Sequence, residues 1–93
     1  MRLFSKWCAE EIEKVCSRND HKPAWENQNI LTILDKIHEE YLEVLDAVGS
    51  CEYWGNEDAE KHIVWECADL AATAMMLASK FDNKTKNLRR GNL

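Results

Sequence analysis

Little in this chain can make a tight turn: 93 residues contain three glycines and one proline. None of these falls between Ile30 and Val48, where apolar residues recur every three or four positions. A many-stranded sheet needs frequent turns, and its strands alternate with a period of two. The pattern therefore calls for long helices.

The same periodicity marks the elements. Phe4, Trp7, Cys8, Ile12, Val15 and Cys16 form a stripe that predicts an amphipathic helix over residues 3–17. The polar run from Ser17 to Pro23 reads as a loop. A second helix is expected to start at Asn27 or Asn29, either of which can cap it, and to stop at Gly49 after Val48. A loop over 49–56 follows. Asn56 is then positioned to cap a third helix reaching about Phe81, with Glu57 and Asp58 in its first turn, where the helix dipole favours acids. A short fourth helix is expected around Lys84–Arg90. The fold class is thus all-α: one antiparallel bundle of three to four helices spanning 1–93, with 83–93 as a basic tail. So short a chain makes a marginal core, and completion by self-association is expected.

Charge narrows the function classes. The chain carries 17 acidic and 12 basic residues, a net −5, which disfavours a broad surface for a nucleic acid polymer. A nucleotide is not disfavoured, because a metal ion can meet its phosphates. Positive charge gathers at the end, where Lys80, Lys84, Lys86, Arg89 and Arg90 oppose Asp82 alone. Cys8, Cys16, Cys51 and Cys67 lack C-x-x-C or zinc-site spacing. Charged residues Arg2, Lys6, Glu10 and Glu11 break the first apolar stretch, so no signal peptide is read. No segment approaches the ~18 uninterrupted apolar residues of a membrane span. A cytoplasmic protein with reduced cysteines and no membrane partner is expected.

The chemistry sits on the flanks of the helical stripes. On the second helix Ile30, Ile33, Leu34, Ile37, Tyr41, Val44, Leu45 and Val48 make the core stripe, with Glu40 and Glu43 side by side along its edge. On the third, Ile63, Cys67, Leu70, Ala74, Leu77 and Phe81 make the stripe, and Glu66 and Asp69 occupy one flank. These two are the only charged residues between Ile63 and Ser79. Acids on so apolar a segment are costly to bury without a cation. Antiparallel packing turns the two pairs toward each other, and four convergent carboxylates suit a hard divalent ion, Mg²⁺ with Mn²⁺ as substitute.

Glu39-Glu40-Tyr41-Leu42-Glu43 followed by Glu66-Cys67-Ala68-Asp69 reproduces E-E-x-x-E then E-x-x-D. This order resembles the MazG-like, all-α nucleoside triphosphate pyrophosphohydrolases. His21-Lys22-Pro23-Ala24-Trp25 and the Ala68–Ala78 segment are similar to small phage-type members, so the resemblance covers about residues 20–82. It implies Mg²⁺-dependent hydrolysis of a nucleoside triphosphate to monophosphate and pyrophosphate by a homodimer or homotetramer. By position, Glu40, Glu43, Glu66 and Asp69 would be the metal ligands, and Glu39 would orient or deprotonate the attacking water. Small members often carry Asn three residues after the motif Asp; Ala72 stands there, which puts nucleotide selectivity in question.

Cations for the phosphates would come from Lys36, one turn before Glu40, or from Lys80, Lys84 and the tail. Trp25 is a candidate for stacking on a base, and Trp54 is undecided. Trp65, with Met76 near it on the wheel, lies off the intrachain stripe and points to a subunit interface. His21, His38 and His62 lack metal-ligand spacing. Two other classes compete. A non-catalytic, dimeric helical interaction or regulatory module would explain the apolar faces, but not the uncompensated acids. A di-iron carboxylate bundle needs two Glu-x-x-His pairs, and the chain has none. Base and sugar preference cannot be read from these residues.

Overall fold

The computed structural model describes residues 2–18, 27–54 and 56–82, except for the side chains of 52–54. Three helices account for most of them: α1 (Arg2–Arg18), α2 (Ile30–Trp54) and α3 (Glu57–Ser79), with no strand among the described residues. The all-helical expectation holds for this part of the chain. The helix placed at 84–90 lies outside the described residues.

Both expected caps form. The Thr32 N–H donates to Asn29 Oδ1 at 2.8 Å, so Asn29 rather than Asn27 starts α2. The Ala59 N–H donates to Asn56 Oδ1, also at 2.8 Å, with Asn56 extended at φ −111°. Each cap satisfies one of the donors that a helix start leaves without a partner. Gly49, however, does not stop α2, which runs through it to Trp54. A glycine inside a helix costs only about 1 kcal/mol relative to alanine, and the packing of α2 on α3 outweighs that. The expected loop over 49–56 shrinks accordingly, and α2 and α3 form an antiparallel hairpin. At the other end α1 continues one residue further than expected and takes in Arg18.

The central element is α3, packed on one side by α2 and on another by α1. Its buried residues are Glu66, Ala68, Ala72, Thr73 and Ser79. Small side chains let the neighbours approach closely: Val15 of α1 packs on Ala68 and Ala72, with Ile12 beside it. Thr73 and Ser79 stay buried by donating their hydroxyls to Asp69 O and Met76 O, both at 2.8 Å. This corrects the expected α3 stripe. Cys67 and Ala74 are exposed and Phe81 remains 66% exposed, because the helix is covered where its residues are small.

The stripe on α2 also splits. Ile33 is fully buried, Ile37 and Val44 are half-buried, and Ala47 closes the row. Ile30, Leu34, Tyr41, Leu45 and Val48 remain exposed, because α2 finds its main partner in α3 and α1 packs elsewhere on α3. No helix among the described residues is long and apolar enough to cross a membrane.

Candidate metal centre and its cleft

The hairpin brings Glu40 and Glu43 of α2 against Glu66 of α3. One carboxylate oxygen from each lies within 4.8 Å of the others. Their surroundings differ: Glu43 is exposed, Glu40 half-buried, and Glu66 only 8% exposed. Glu40 Oε2 and Glu66 Oε2 are sealed from solvent without a hydrogen-bond partner. Buried polar atoms are rarely left that way, and a carboxylate oxygen least of all.

The electrostatics show the strain. Burial, together with an interaction with Glu43 that only the protonated acid can make, pushes the Glu40 carboxyl up to about 7. The negative charges of Glu43 and Asp69 add to this, and Lys36 opposes it. Glu66 is raised by burial first and then by Glu43; His62, whose Nε2 stands 3.6 Å from Glu66 Oε1, works against the rise.

The donor set fits a hard divalent cation. Oxygens on one octahedral Mg²⁺ at ~2.1 Å lie ~3.0 Å apart when adjacent and ~4.2 Å apart when opposite, so the acids would close up by as much as about 2 Å to share one ion. Glu40, Glu43 and Glu66 are therefore the residues that would hold the ion. Asp69, the fourth expected ligand, adds its charge to the cluster but turns toward α1, with Oδ1 3.2 Å from Arg18 Nη2.

Beside the acids opens a cleft of about 340 Å³ whose walls include Arg18, Lys36, Glu40, Trp65, Asp69 and Met76. The Arg18 guanidinium lies over the Trp65 ring, 3.1 Å from its centroid. Trp65, expected at a subunit interface, is 50% exposed and also serves as a wall and a platform within one chain. Lys36 falls at the cleft as expected. Glu39 is exposed and borders neither the cluster nor the cleft. Lys80 caps the end of α3, away from the cleft lining. Trp25 and Lys84 lie outside the described residues. In the sequence Arg18 sits in a polar run that reads as loop, which hides its place at the cleft. Its signal was its place in the last turn of α1, where a cation suits the helix dipole.

No family model, curated protein or solved structure matches the chain.

Proposed function

We propose that this protein is a Mg²⁺-dependent nucleoside triphosphate pyrophosphohydrolase of the MazG-like kind. The observation that carries the reading is the convergence of Glu40, Glu43 and Glu66, two of them with a sealed, unpartnered oxygen. Such a cluster is poorly suited to solvent and well suited to a divalent ion. In the reaction, water forms a bond to the α-phosphorus, the bridging α–β P–O bond breaks, and pyrophosphate leaves. Bound Mg²⁺ supplies charge neutralisation, polarises a phosphoryl oxygen and lowers the pKa of water.

The chain's own residues do the rest. Glu40, Glu43 and Glu66 hold the ion, and Asp69 stands next to them as a further carboxylate. Lys36 brings positive charge to the cleft for the outer phosphates. The resemblance assigns the proton of the attacking water to Glu39, which is exposed beside Glu40 and would have to turn toward the cleft to take it. Self-association into a dimer or tetramer covers the exposed row Ile30, Leu34, Tyr41, Leu45 and Val48. That row also favours a second reading, a non-catalytic helical interaction module, which leaves the buried Glu66 without an explanation.

The test is hydrolysis of each ribo- and deoxyribonucleoside triphosphate with Mg²⁺ or EDTA, following monophosphate and pyrophosphate. Metal-dependent pyrophosphate release, lost in Glu43→Ala and Glu66→Ala, is expected. Silence across the panel, with Mn²⁺ failing to bind, would leave the interaction module. Glu39→Gln is expected to lose turnover while keeping Mn²⁺ affinity; full turnover would move the base elsewhere.

A further inference from the structure

Among the described residues two cations and two acids line the cleft, and they suit different guests. Glu40 and Asp69 suit a metal ion, whereas Arg18 and Lys36 suit an anion. In the structure Arg18 and Asp69 answer each other at 3.2 Å, with side chains 30% and 20% exposed. A planar guanidinium carries five N–H donors, and the contact with Asp69 uses only part of that fork. Stacking on Trp65 holds the fork at the cleft wall whichever partner its N–H groups find.

Resting on the reading of the site as a triphosphate hydrolase, we propose that Arg18 is a phosphate ligand of this cleft. It is held by Asp69 in the ligand-free protein and handed over to the outer phosphates of a bound triphosphate. The exchange ties the two guests together. Phosphate draws Arg18 from Asp69, and the Asp69 charge that the acid cluster already feels is then less neutralised and attracts the metal ion more strongly. Metal and polyphosphate each bind more tightly in the presence of the other, as linkage requires. Lys36, on the same cleft, is the second phosphate contact. A purely structural tie between α1 and α3 would show no such coupling.

The experiment uses inorganic tripolyphosphate and Mn²⁺ by calorimetry, on the full chain, with free metal buffered. In EDTA, Asp69→Asn is expected to bind tripolyphosphate several-fold more tightly than the wild type. That gain should vanish when Arg18→Gln is added. With Mn²⁺, tripolyphosphate should raise wild-type metal affinity about tenfold, within the usual range of coupling, and Arg18→Gln should abolish most of the rise. Arg18→Lys keeps a positive charge without the fork. It should fold if the glutamine variant does not, and should retain only a minor part of the coupling. Tripolyphosphate affinity and coupling indifferent to Arg18 would overturn the proposal, as would a wild type that binds no tripolyphosphate. Loss of this coupling with Mn²⁺ binding intact would leave the hydrolase reading standing. A wild type that binds no Mn²⁺ at all would sink both.

Discussion

Glu43 of α2 and Glu66 of α3 hold carboxylate oxygens within 4.8 Å of each other across the hairpin seam, and Glu40 completes the triangle. At that range two ionised carboxylates repel by on the order of 1 to 4 kcal/mol, depending on how much water screens them. Three cannot all ionise comfortably without a cation between them. The cluster therefore makes the protein's stability depend on pH and on metal together.

Without metal, stability is expected to fall as pH rises through the range from about 4.5 to 7. The folded protein keeps a proton on Glu40 up to about 7, whereas the unfolded chain releases it near 4.5. Where the native state binds more protons, raising the pH costs stability. Glu66, shifted in the same direction, adds to the slope. Thermal midpoints in EDTA at pH 5.5 and 8.0 should show the loss, and Glu40→Gln should flatten it. Mg²⁺ should restore more stability at pH 8.0 than at 5.5, because its ligands must be deprotonated. Equal slopes in wild type and Glu40→Gln would remove Glu40 as the cause.

Gly49→Ala should stabilise the protein by about 0.5–1 kcal/mol, since glycine is that much worse than alanine inside a helix. A Cβ there meets nothing within 4 Å, and the backbone is helical. Had Gly49 ended the helix in a left-handed conformation, alanine would be strained there and the midpoint would fall. Chemical denaturation of the single variant separates the two.

Asn56→Ala should cost about 1 kcal/mol, the usual value of an N-cap. The cap is a single 2.8 Å bond to the Ala59 N–H at the start of α3, and neither residue belongs to the acid cluster or the cleft lining. Metal affinity per folded molecule should not change. A lowered midpoint with unchanged Mn²⁺ titration is the expected pair of results; weakened Mn²⁺ binding would mean that the helix start positions Glu66.

How far the sequence revealed the site depends on the range of the interactions. Glu40 and Glu43 sit three apart on one helix, and Glu66 and Asp69 are the only charges of an apolar stretch, so local spacing and the cost of burial sufficed to bring Glu40, Glu43 and Glu66 together. Asp69 shared that flank, but its contact with Arg18 spans 51 positions and depends on where α1 docks, which no local pattern records. The same ignorance of α1 misplaced the core. The α2 stripe was legible as apolar, yet only its Ile33–Ala47 side is covered, because α1 packs on α3 instead. Trp65 was legible as an aromatic off the stripe; that it carries a guanidinium required the third helix in place.

Glu66→Gln tests the claim that the buried acid is kept for a cation. The side chain is nearly isosteric and neutral, so in EDTA at pH 8.0 it removes the repulsion from Glu43 and Asp69 and the cost of burying a charge. A gain of about 1 kcal/mol is expected, or ~4–8 °C for a domain of this size. At pH 5.0 the gain should shrink, since the raised carboxyl is then closer to neutral in the wild type. With Mg²⁺ the order should reverse: the wild type gains and the variant does not, because an amide oxygen is a poorer ligand than a carboxylate and leaves the ion's charge less compensated. A wild type more stable than Glu66→Gln in EDTA at pH 8.0 would mean that Glu66 is held by protein contacts alone. The metal-centre reading would then lose its main support.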